Sequence, residues 1–80
     1  MDIELARDMI RAAFRSSSEL QSFLRVLKQR CSPEQYKDYS RGIAAAIDAI
    51  GVALTNKALA AHPELNAEVE ESIARHGQYR

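Results

Sequence analysis

Residues 32–63 read SPEQYKDYSRGIAAAIDAIGVALTNKALAAHP, and this stretch decides the fold. Ser32 stands where an N-cap hydroxyl accepts an orphan amide, Pro33 at the first helical position and Gln35 at the third, a strong helix start. Nothing after Pro33 stops the helix until His62-Pro63, so one helix is expected over 33–61, about 42 Å long at 1.5 Å per residue. Gly42 and Gly51 each cost about 1 kcal/mol against alanine inside a helix. They mark bends or places of close packing.

At 100° per residue, Tyr36, Ile47, Ile50, Leu54 and Ala61 fall within about 40° of Ile43 and form a core stripe. Beside it run the small residues Gly42, Ala46, Ala49, Ala53 and Ala60, a flank that lets another backbone come close. Ala45, Val52 and Leu59 repeat every seven residues on the side opposite Ile43. A helix apolar on several sides is enclosed on several sides. Short neighbours of about 21 Å cannot enclose it. The expected remedy is a second copy of the chain, with Gly42, Ala45, Ala46, Ala49, Val52, Ala53 and Leu59 forming the dimer or partner surface.

Outward from this helix the pattern stays helical. Residues 2–15 carry Asp2 and Glu4 early and Arg11 and Arg15 late, as the helix dipole favours, with Ile3, Ala6, Ile10, Ala13 and Phe14 on one face. The run Ser16-Ser17-Ser18 is expected to end that helix, with Ser18 capping a second one over 19–31 and Gln21 completing a capping box. Leu20, Phe23, Leu24, Leu27 and Cys31 form its apolar face. After Pro63 a last helix is expected over 64–76, striped by Leu65, Val69 and Ile73 and stopped by Gly77, with residues 78–80 frayed. The fold class is therefore all-α: one domain over 1–80, a bundle of about four helices with a long third helix, dimeric.

Composition narrows the function classes. An 80-residue chain buries only about 60% of its unfolded surface and needs disulfides, a metal or a partner. Cys31 is the lone cysteine, which excludes an internal disulfide and fits a reducing, cytoplasmic setting. Eleven basic residues balance eleven acidic ones, so no global field draws nucleic acid or an anionic membrane. The Met-Asp-Ile-Glu start lacks signal-peptide character, and the nearly uncharged run from Gly42 to Asn56 is too short to span a bilayer.

No catalytic constellation emerges. Cys31 and the histidines, His62 and His76, are separated in sequence and lack an oriented base. Glu64, Glu68, Glu70 and Glu71 lie along one helix without the Glu-x-x-His pair of a bundle metal site, and dipole preference accounts for them. No enzyme activity, metal or cofactor is expected. The rival reading is nucleic-acid binding, because residues 5–41 hold eight basic residues against four acidic ones, a net +4. Its candidate basic patch is Arg7, Arg11, Arg15, Arg25, Lys28 and Arg30, yet no helix-turn-helix signature accompanies it.

The caps and core positions Ser32-Pro33-Glu34-Gln35-Tyr36, Ile43, Ile47, Ile50, Gly51 and Leu54, closed by His62-Pro63-Glu64-Leu65, resemble small all-helical bacterial proteins of no assigned activity. The resemblance implies a helical bacterial fold and carries no activity, cofactor or partner. The expected role is a non-enzymatic adaptor or regulator that binds an unidentified protein partner as a homodimer, without contact with membrane.

Overall fold

The computed structural model describes residues 1–80. Its elements are α1 (Ile3–Arg30), α2 (Pro33–Ala61) and α3 (Leu65–His76), all helical. The count differs from expectation, because α1 runs unbroken through the serine triplet.

The reason lies in where the serine hydroxyls go. Ser16 Oγ donates to the Ala12 carbonyl one turn back at 2.9 Å, so its polar group is satisfied inside the helix. Ser17 is half-buried beside Ala13 and Phe14 and faces Ile47, Gly51 and Thr55 of α2. Serine costs only about 0.5 kcal/mol against alanine in a helix, whereas a break leaves four amides and four carbonyls to be capped. Continuation wins, and Ser18 caps nothing. Asp2 starts the single helix by accepting from the Leu5 amide at 2.8 Å, and Lys28 and Arg30 close it.

A tight turn at Cys31-Ser32 reverses the chain. The expected capping box is present: Ser32 Oγ accepts from the Gln35 amide, and the Gln35 side chain accepts from the Ser32 amide. α1 and α2 therefore form an antiparallel hairpin of two helices, 28 and 29 residues long. Each is about 42 Å in length at 1.5 Å per residue, and the molecule measures 45 × 25 × 15 Å.

Gly42 leaves α2 regular. At Gly51–Thr55 the helix widens into one π turn, where the Asn56 amide donates to the Gly51 carbonyl five residues back. One extra residue in a turn rotates everything after it by about 100°. Leu54, expected in the core stripe, is 37% exposed, while Ala58 is fully buried. Leu59, expected opposite Ile43 on the partner surface, instead packs against the chain's own core.

α3 folds back at His62-Pro63-Glu64 and lies over one end of the hairpin. Gly77 stops it in the left-handed region, φ 73°, with its amide on the Ile73 carbonyl. The residues after it are not frayed. Tyr79 returns into the core, and Ser72 Oγ both donates to the Gln78 carbonyl and accepts from the Arg80 amide.

The core is confined to this end. Ala6, Ile10, Ala13, Ala58, Leu65, Val69 and Tyr79 are the seven buried residues. We call this three-helix end the base, and the two-helix remainder, roughly residues 16–50, the arm. No residue of α1 beyond Ala13 is buried, and none of α2 before Ala58.

Candidate interaction surface

Two polar arrangements and one apolar surface present themselves, and the polar ones sit at the base. Arg7 Nε donates to both oxygens of Glu68 at 3.1 and 3.2 Å, and its Nη1 pairs with Glu4. Tyr79 donates its hydroxyl to Glu68 Oε2 at 2.6 Å. The Tyr79 ring lies 6.4 Å from that of Phe14, with the Arg11 guanidinium 5.2 Å from its centroid.

The electrostatics follow from these contacts. The hydrogen bond from Arg7, then that from Tyr79, holds the Glu68 carboxyl below its ordinary range, against opposition from burial. Burial first, and the bond to Glu68 second, pushes the Tyr79 phenol above its ordinary value. Arg7 is held more firmly protonated by Glu68. Every group is satisfied by another, so the cluster works as a clasp joining α1, α3 and the C-terminal residues.

His62 makes the second arrangement, with Nε2 at 2.8 Å from the Met1 carbonyl oxygen and Nδ1 at 3.2 Å from Glu64 Oε1. The Glu64 carboxyl is lowered by its own backbone amide and then by His62. Cys31 sits at the tip of the hairpin between α1 and α2, and His62 at the opposite end of α2. The α3 carboxylates are engaged one by one: Glu64 with His62, Glu68 with Arg7, Glu71 with Arg75. No three His, Cys, Asp or Glu side chains converge on a metal position.

The apolar surface belongs to the arm. One side of the hairpin forms an open groove of about 590 Å³, lined by Leu20, Phe23, Leu27, Asp38, Tyr39, Gly42, Ile43 and Ala46. Phe23 is 50% and Tyr39 53% exposed along it. The opposite side is more polar, with Gln21, Ser40, Asp48 and Asn56 among Leu24, Ile43, Ala44, Ile47, Gly51 and Val52. Gly42 is exposed, and a Cβ added there would meet nothing within 4 Å.

Of the surface expected from sequence, Gly42, Ala45, Ala46, Ala49, Val52 and Ala53 are exposed on α2. Only Leu59 is withdrawn, by the π turn. Phe23, Leu27 and Tyr39 were not singled out for this surface, and a single continuous α1 is what brings the first two beside α2.

The basic patch is split. Arg7 and Arg11 are taken up at the base, Arg11 by Asp8 and the Tyr79 ring. Arg15, Arg25, Lys28 and Arg30 are exposed and form no ion pair.

The exposed area is large for the chain's size. A monomer of 8.9 kDa is expected to show about 4,800 Å² of accessible surface. This one shows 5771 Å². Its radius of gyration is 14.7 Å, against about 12 Å for a compact 80-residue domain. α2 is also long and apolar enough to cross a membrane by length and composition alone. No protein family, curated protein or solved structure matches the chain.

Proposed function

We propose that this chain is a non-enzymatic protein-interaction module, a small adaptor or regulator that works as a homodimer joined through its arm. One observation carries the reading. Two long helices lie side by side with Phe23, Leu27, Tyr39 and Ile43 along a groove, and nothing in the arm is buried. The surplus surface amounts to about 1,000 Å². Two copies covering that much each would bury about 2,000 Å² together, the upper end of a standard stable interface.

Apolar area removed from water favours association, and the affinity is what remains after the loss of free motion and side-chain ordering. The aromatic pair at the groove rim is of the residue type that anchors such contacts.

Sedimentation equilibrium of the intact chain and of Phe23→Glu tests this. The intact chain is expected to dimerise, and the variant to lose at least tenfold in association, about 1.4 kcal/mol or more. Its helix content should stay unchanged, because residue 23 supports no core. A variant that associates like the parent contradicts the reading.

A further inference from the structure

We infer that the second copy docks antiparallel, α2 across α2 near Gly42 and Ala46, so that each arm tip points toward the other copy's base. The inference rests on the homodimer reading above and adds its orientation and place.

Charge sets the orientation. Residues 25–41, which form the arm tip, hold five basic residues (Arg25, Lys28, Arg30, Lys37, Arg41) against two acidic ones (Glu34, Asp38), a net +3; the other 63 residues therefore carry −3. All five basic side chains are exposed, and none is in an ion pair. A parallel dimer stacks the two +3 tips side by side. The antiparallel dimer parts the two tips and lays each over the other copy's base, where residues 1–15 and 51–80 hold six basic residues against seven acidic ones, a net −1. Like charges held together at an interface are costly, so the docking direction that parts the two tips is the favoured one.

Shape sets the place. The groove beside Leu20, Phe23 and Leu27 is floored on α2 by Gly42, Ile43 and Ala46. Glycine at 42 costs about 1 kcal/mol of helix stability, and no atom of the chain needs the room it leaves. A second helix crossing there would. With the two-fold axis between Gly42 and Ala46, each glycine faces the other copy's Ala46. The exposed Tyr39 ring then meets the other copy's Ala49, bulk against a small side chain.

The lone Cys31, at the arm tip, reports the orientation of the intact chain. An axis near residue 44 lies thirteen residues from it, so spin labels on the two copies should sit about 40 Å apart along the helices. Pulsed dipolar spectroscopy on the labelled dimer is expected to give that distance. A distance under about 20 Å places the tips side by side, as neighbouring helices 8–10 Å apart would. It overturns the antiparallel arrangement while leaving the homodimer standing. A monomeric mass with no coupling overturns both.

Gly42→Leu tests the place. The isolated chain has room for the side chain, so in dilute, monomeric solution its melting temperature should hold or rise, while dimerisation at higher concentration falls at least tenfold. Full dimerisation of Gly42→Leu with an unchanged label distance moves the contact elsewhere and overturns it.

Discussion

The base and the arm are built from the same two helices, and they differ in what lies over them. At the base, α3 and Tyr79 cover Ala6, Ile10 and Ala58, and all three are fully buried. Along the arm, Leu24, Leu27, Ile43 and Ile47 meet each other across the hairpin but have no third layer, and all stay part-exposed. Two helices touch along a line, and a line cannot close a core. A third element turns the same amphipathic pattern into a buried cluster. The arm's groove thus lacks the third layer that the base has, which is the physical basis for proposing a second copy there.

The contrast predicts its largest effect at the base. Leu65→Ala removes a fully buried side chain and should cost about 2–5 kcal/mol in urea unfolding. Val52→Glu, 60% exposed in the parent, should stay within about 0.5 kcal/mol. Leu59→Glu should behave like the base variant, because the π turn places residue 59 against the core. Equal behaviour of the Val52 and Leu59 variants would count against that placement.

A middle effect concerns acid. Glu68 titrates below its ordinary value in the folded chain because of Arg7 and Tyr79. Its contribution is present above the unfolded value of about 4.5 and is lost as pH falls through the lowered folded value. Tyr79 has the opposite sign: its contribution is present below about 10.0 and is lost as pH rises through the raised folded value. Glu68→Gln should therefore flatten the acid limb of the stability curve, measured by denaturant melts between pH 2 and pH 7. An unchanged acid limb removes the clasp from the account.

The smallest effect is expected at Gly42→Ala. Under dilute conditions where the chain is monomeric, thermal melts should show a gain of about 0.5–1 kcal/mol from helix propensity. A loss would show that the chain itself needs the glycine.

Much of the frame was legible in the sequence, and the failures have physical causes. Ser32, Pro33, Gln35, Pro63 and Gly77 act through bonds within a few residues, so the bounds of α2 and the end of α3 could be read directly. The serine triplet misled because local preference favours a cap, while the Ser16 hydroxyl donates a hydrogen bond to the Ala12 carbonyl and the helix continues. The π turn had only Gly51 as a hint, and its rotation moved Leu59 from the partner face to the core. Tyr79 was out of reach, since the groups that hold it, Arg11, Phe14 and Glu68, lie at least eleven residues away. The small exposed face of α2 was legible, but the share of α1 in it needed the single long helix.

The most direct measurement is the mass of the chain in solution by light scattering, followed through dilution with melts at each concentration. An uncovered arm predicts twice 8.9 kDa when concentrated, with a melting temperature that falls as the chain is diluted. A constant mass of 8.9 kDa with one cooperative melt, unmoved by concentration, would contradict it.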